Sequence, residues 1–466
     1  LHPDRTPASP FSRLCRPVFR IQALAAVSLA TLALAACGNN YRPVVSSINP
    51  VGPAGQPTKY AIAISSPTPT SQGLATLIDV SGDTIVNTTL IGVNPLYFNL
   101  ASTGYEGYTL NGDGTLTSFS ISSSLLASQV LQSTLYAGSN PTSIYSQGTY
   151  LYIAEAGRNA VAELANLPPA IQQELPTGAG TIYTVGAASS PRAYALVGGA
   201  STTANGTAVP IETGSNTTDS PIPVGVQPTY GVMTADSRRA FILNKGSSSV
   251  TVINAQSNAL DTFYANGCNP ATTANCAVTS TVPVGAAPLW ADFAPTLSEL
   301  LVVNQGDGKT AGSVTIINIP LCNATTITSN PNCDISNPVD AVGFGQVLAT
   351  IPVGVNPVMI SVLQDGSQAF VANSGNASTP GSVSVINLTT NTVVATIPGG
   401  ASTNESDAIV HGHPNYIAAT TGTPTGKVYV TSPDSTDITI LRSDEDIVET
   451  HLSLQGQGVS VRVNQP

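Results

Sequence analysis

Ala240-Phe-Ile-Leu-Asn-Lys-Gly-Ser-Ser-Ser-Val-Thr-Val-Ile-Asn254 decides the fold. An apolar run ends in Asn, a polar turn follows, and a second run alternates Val250-Thr-Val-Ile with the period of two expected of a strand. The unit returns as Leu300-Leu-Val-Val-Asn304 with Ser313-Val-Thr-Ile-Ile-Asn318, and as Ala369-Phe-Val-Ala-Asn373 with Ser382-Val-Ser-Val-Ile-Asn387. Fainter copies begin near Tyr60, Gly107, Tyr150, Ala193 and Lys427, which makes eight units. A second element follows the copies: Ile91-Gly-Val-Asn-Pro95, Ala137-Gly-Ser-Asn-Pro141, Pro223-Val-Gly-Val-Gln-Pro228, Pro283-Val-Gly-Ala-Ala-Pro288 and Pro352-Val-Gly-Val-Asn-Pro357. It marks the crossing between units.

After the first forty or so residues no stretch sustains a helical apolar period, so the body is all-β. One four-stranded unit exposes two apolar faces and cannot bury them alone. Radial packing of repeated units buries both faces and limits free edges, so the spacing predicts a β-propeller of four-stranded antiparallel blades. The repeat count gives eight blades, with seven as the alternative. The C-terminal Gly458-Val-Ser-Val-Arg-Val463 has no blade after it and is placed to complete the first blade, a position for which Val44-Val-Ser-Ser-Ile48 competes.

The strand endings Val430-Thr431 and Ala372-Asn373, the Val-x-Val-Ile strands, Ile351-Pro-Val-Gly354 and Gln364-Asp-Gly366 resemble the YVTN family of β-propeller repeats. The resemblance is strong from about 225 to 400 and fades before 220. It implies an inner strand at Val358-Met-Ile-Ser-Val362, followed outward by 369 to 373, 382 to 387 and 393 to 397. YVTN propellers commonly have seven blades, which is where the alternative count comes from.

The 466 residues are 42% apolar and 9% charged, with 41 Gly and 35 Pro, a composition that suits short strands and turns. The net charge of −11 argues against a nucleic-acid partner. Residues 1 to 36 carry four of the fifteen cations and one of the twenty-six anions, so the remainder is still more acidic, at −14.

Arg5, Arg13, Arg16 and Arg20 precede an apolar run from Ile21 to Leu34, then Ala35-Ala36-Cys37-Gly38. A cationic stretch, a short apolar core and small residues form an export signal, and the run falls short of the ~20 residues a spanning helix needs. Leu34-Ala35-Ala36-Cys37 resembles the bacterial lipobox, which implies a signal peptide over 1–36, lipidation (a palmitate-bearing anchor) at Cys37, a tether over 37–43 and a propeller domain over 44–466. The competing reading is an ordinary secretory signal with an incidental Cys. Gly38, rather than Asp, after Cys37 resembles outer-membrane sorting, so the expected place is the cell envelope, held to the membrane by the lipid.

Cys15 leaves with the signal, and four cysteines remain. The local pairs Cys268 with Cys276 and Cys322 with Cys333 each bracket one polar loop, and export permits oxidation. Neither spacing fits the common zinc patterns. In the expected strand order both loops join the third and fourth strands of their blades and emerge on one rim, where they serve either as a partner surface or as staples against proteolysis.

His411-Gly-His413 presents two imidazoles near Glu405 and Asp407, candidates for a metal, against the reading of a polar loop in which His413-Pro414 replaces the usual crossing. Asn111-Gly-Asp-Gly114, Gln305-Gly-Asp-Gly308 and Asp365-Gly366 lack the carboxylate density of a calcium loop and read as turns. No nucleophile elbow, phosphate loop or haem motif stands in a supporting context, so no catalytic residues are assigned and no cofactor is expected.

Three functions compete. A noncatalytic binding or scaffold module for an envelope protein or glycan needs no catalytic cluster. A hydrolase similar to propeller lactonases related to 6-phosphogluconolactonase would draw on scattered residues such as Glu155, Arg158, Arg192 and Asp236. A propeller serving an electron-transfer partner, as in some periplasmic dehydrogenases, comes third. Replacing Cys37 with Ala is expected to leave the propeller folded and to move the protein from the membrane fraction to the soluble one. Retention of the variant in membranes would refute the lipid anchor.

Overall fold

The computed structural model describes residues 59–464 apart from 126–128, 167, 189, 271, 321–342, 402–406 and 421–425. Val44 to Ile48, Cys37, Cys322 and Cys333 lie outside the described residues. Among the described residues the sheets form eight antiparallel blades, so the repeat count holds against seven. In blade 7 the strands run outward as Pro357–Val362, Gln368–Asn373, Ser382–Asn387 and Thr392–Gly400, the order expected of the repeat. All eight sequence copies fall on second strands, from Tyr60–Ser66 in blade 1 to Lys427–Thr431 in blade 8.

The ring is closed by the C-terminus. Gln457–Val463 is the inner strand of blade 1, antiparallel to Tyr60–Ser66, with Ala61 opposite Val463 and Ile62 opposite Arg462. Asn464 fastens the end, its Oδ1 accepting from the Tyr60 amide at 2.6 Å and its amide donating to the Tyr60 carbonyl at 3.0 Å. Blade 8 is tied to blade 1 a second time by Lys427, which pairs with Asp83 in the turn between the third and outer strands of blade 1. Joining the two ends of the chain in one sheet removes the free edges that an open ring would leave.

Second strands read as unbroken apolar runs because both of their faces are covered. Leu300 and Val302 pack against Phe241 and Val252 of blade 5, whereas Leu301 and Val303 pack against Ala369 and Val371 of blade 7. Outer strands keep the alternation instead, as in Thr392–Gly400, where exposed and half-buried residues follow one another.

The Gly and Asn of the repeat meet across the gap between blades. Gly354, near the end of the outer strand of blade 6, has room for no side chain, since a Cβ there would sit 2.6 Å from Asn373 Cγ in blade 7. Gly92 lies on Asn111, Gly225 on Asn244 and Gly285 on Asn304 in the same way. Each Asn in turn holds the third strand of its own blade: Asn304 Nδ2 donates to Ser313 Oγ at 3.1 Å and Thr315 Oγ1 at 2.9 Å, and Asn373 Nδ2 to Ser382 Oγ at 3.1 Å and Ser384 Oγ at 2.9 Å. The Ser-Val-Thr beginnings of the third strands thus supply acceptors to a buried amide.

The residue before the crossing proline has positive φ in five blades: Asn94, Asn140, Gln227, Ala287 and Asn356. Asn tolerates this region and Ala does not. Denaturant unfolding is expected to show Ala287→Asn stabilising by about 0.5 kcal/mol, and Gly354→Ala destabilising by about 1–3 kcal/mol through the clash with Asn373. Equal midpoints for wild type and Gly354→Ala would contradict the Gly–Asn contact.

Candidate functional site in the central channel

The inner strands line the axis, and they bring aromatic side chains together from blades far apart in the chain. Tyr97, Tyr230, Trp290 and Tyr416 each stand two residues after the proline of a crossing: Pro95, Pro228, Pro288 and Pro414. Tyr183 joins them from the inner strand of blade 4, Thr181–Val185. The Tyr97 and Tyr183 hydroxyls are 3.1 Å apart, and the rings of Tyr183 and Tyr230 lie 5.0 Å apart. Tyr230 stacks on Trp290 at 4.1 Å, and Trp290 meets Tyr416 edge to face at 6.3 Å.

Arg462, on the closing strand, completes this wall. Its guanidinium carbon lies 5.4 Å from the Trp290 ring centroid and 5.6 Å from that of Tyr416, within the range of cation–π attraction. Its Nε is buried without a hydrogen-bond partner, and among the described residues no carboxylate forms an ion pair with it. Burial acts to lower the basicity of Arg462, yet its pKa still lies above the ordinary range, so the guanidinium is charged.

Asp292 lies on the same inner strand as Trp290, two residues further on. Its Oδ1 accepts from the Phe293 amide at 2.9 Å, and its Oδ2 accepts from the Val362 amide of blade 7 at 2.9 Å. Burial pushes its carboxyl up to about 6, against the pull of those two amides and of Arg462. Burial also raises Tyr183 and Tyr230, and takes Tyr416 to about 12, so the phenols are neutral donors at physiological pH.

A cavity of about 360 Å³ opens on this wall, lined among others by Tyr97, Asn99, Tyr145, Tyr183, Tyr230 and Arg462. The recess therefore offers a cation framed by rings, phenolic hydroxyls and one primary amide, within an acidic protein. Such an arrangement can accommodate a compact anion that also presents an apolar face.

The residues singled out from sequence fall elsewhere. Cys268 and Cys276 form the expected disulfide, with Cα atoms 5.8 Å apart, across the loop of a small hairpin inserted between the third and outer strands of blade 5. Gly412, with φ of +74°, parts the two histidines. His413 is exposed on the rim with Nδ1 2.6 Å from Asp434 Oδ2, whereas His411 turns inward to Asp407, Asp437 and His451, so they do not act as a pair. The Asp-Gly segments are turns: Asp113 Oδ1 accepts from Thr115, and Asp307 Oδ1 accepts from Lys309 and Thr310.

Glu155, Arg158, Arg192 and Asp236 do not line the cavity, and of the four Glu155 and Arg158 lie together, 3.8 Å apart. Arg158 pairs with Glu174, Arg192 with Glu212, and Asp236 caps a turn by accepting from the Arg238 amide at 3.1 Å. Glu155 fills, in blade 3, the place that Asn111 and Asn244 fill in their blades. Sequence reasoning missed the channel wall, although the aromatic residue two positions after the crossing proline was a usable signal. It could not place Arg462, whose neighbours come from other blades.

No family model matches the chain, and no curated protein matches it. Among solved structures it is similar to apo AztD from Citrobacter koseri, at 12% identity and TM-score 0.55 over 87% of this chain and 97% of that one. It is also similar to the dihydro-heme d1 dehydrogenase NirN, at 13% identity and TM-score 0.57 over 89% and 76%. A third, a candidate 6-phosphogluconolactonase from Bacteroides fragilis, has 12% identity and TM-score 0.52 over 89% and 100%. At these identities the likeness extends to the β-propeller fold alone.

Glu155 gives the blade 3 site a pH signature. Burial, with the Glu174 carboxylate beside it, pushes its carboxyl up to about 8, so the folded protein holds a proton that the unfolded chain releases near 4.5. Stability from this group is therefore present at low pH and is lost as pH rises from about 4.5 to about 8, at no more than about 1.4 kcal/mol per pH unit. Glu155→Gln is expected to melt close to wild type at pH 5 and above it at pH 8. Parallel melting curves across that range would contradict the assignment.

Proposed function

We propose that the chain is an exported, lipid-anchored YVTN-type propeller of the cell envelope that acts as a noncatalytic binding module, taking an acidic sugar of an envelope glycan in its central channel. The observation that carries this reading is Arg462, a guanidinium without a carboxylate partner among the described residues, which lines a cavity of about 360 Å³ beside Tyr97, Tyr183 and Tyr230 and lies against the rings of Trp290 and Tyr416. A carboxylate on a sugar ring would meet the guanidinium through charge-assisted hydrogen bonds. The C–H face of the ring would lie on the aromatic wall, and Asn99 with the tyrosine hydroxyls would take its hydroxyls. The volume suits one or two sugar rings. Asp292 supports a binding role over hydrolysis, because both of its oxygens already accept backbone amides and neither is held free as a base.

Trp290 is the single tryptophan of the chain and touches Arg462 and Tyr230 of the cavity lining, so its fluorescence reports on their surroundings. Titration of the full-length protein in detergent with glucuronate or galacturonate is expected to change Trp290 emission saturably, with glucose and galactose far weaker. Arg462→Gln should lower affinity for the acids at least about tenfold while leaving the melting curve cooperative. Equal response to acidic and neutral sugars, or none to either, would refute the reading. Turnover of a sugar lactone by the same sample, lost in Asp292→Asn, would favour the lactonase-like hydrolase instead.

A further inference from the structure

A second cluster lies apart from the channel, where the crossover from blade 7 meets the outer strand of blade 8. Val410–His411 runs parallel beside Gly399 and Gly400 of blade 7, and His451 stands on Ile447–Ser453, the outer strand of blade 8. The two imidazoles are 1% and 5% exposed and stack with centroids 3.7 Å apart and planes 5° from parallel. Both turn a nitrogen toward one carboxylate: His411 Nε2 is 2.9 Å from Asp407 Oδ1, and His451 Nε2 is 4.0 Å from the same oxygen.

We propose that Asp407, His411 and His451 bind one first-row divalent cation of the zinc class, which joins the blade 7 crossover to blade 8. One ligand atom from each residue lies within 4.8 Å of the others. Ligands of a tetrahedral ion are about 3.3 Å apart, so small side-chain rotations bring the set to bonding distance. Two imidazoles and one carboxylate suit zinc or cobalt better than calcium or magnesium, which prefer all-oxygen sites.

The surroundings carry the features of a metal site. Asp437 Oδ2 sits 2.9 Å from His411 Nδ1, where it accepts that N–H and leaves Nε2 for the ion, the usual carboxylate–histidine–metal relay. The Ile409 carbonyl, 3.0 Å from His451 Nε2, is a further oxygen at the centre. Binding requires both Nε2 atoms to be unprotonated, so any proton carried there leaves to solvent as the ion enters.

The test is a titration of chelator-stripped, full-length protein with Co²⁺ followed by visible absorption, with Zn²⁺ competing and metal content measured by mass spectrometry after dialysis. One equivalent per chain is expected, with d–d bands of a nitrogen and oxygen set and no thiolate charge-transfer band. His451→Gln and Asp407→Asn should each weaken binding at least about tenfold, while His413→Ala, which alters only the exposed rim, should bind as wild type does. Asp407→Asn preserves size and keeps the test valid if a histidine variant fails to fold, and a cooperative melt confirms that it is folded. Absence of retained metal in wild type, or unchanged affinity in folded Asp407→Asn, would overturn the proposal.

Discussion

The contact between a glycine at the end of one blade and an asparagine in the next is the constraint on which the ring rests. Gly92, Gly225, Gly285 and Gly354 let the outer strand or its exit press onto Asn111, Asn244, Asn304 and Asn373. Each asparagine fixes its own third strand through paired hydroxyls, so one side chain joins the pitch between blades to the register inside a blade. A larger residue at the glycine would push neighbouring blades apart. A residue without the amide would leave two strand hydroxyls unmatched in a dry place.

Closure of the ring and assembly of the channel site depend on the same strand. Gln457–Val463 pairs with Tyr60–Ser66 to complete blade 1, and that pairing alone sets Arg462 opposite Trp290 and Tyr416. The aromatic residues occupy equivalent inner-strand positions, and only the complete circle brings them into one wall. Fold and binding site are thus linked through the last strand of the chain.

The sequence was most legible where this lock is intact. Three of the four Gly–Asn contacts lie between 225 and 373, the part where the repeat and the YVTN resemblance are strongest. Blade 3 puts buried Glu155 in the asparagine's place, so the Gly–Asn contact is not repeated there. The Cys268–Cys276 bridge was readable because it is local. Arg462 and the His411–His451 stack were not, because their partners are distant in sequence and meet only through blade geometry. The pairing of His411 with His413, adjacent in sequence, was misleading because Gly412 turns the chain between them.

Hydrogen exchange along Gln457–Val463, with and without an acidic sugar, tests the linkage between ring closure and channel binding most directly. Slower exchange confined to this strand and its Tyr60–Ser66 partner on adding glucuronate is the result expected if Arg462 holds the ligand. Unchanged protection of the closing strand at a saturating ligand concentration would contradict the account.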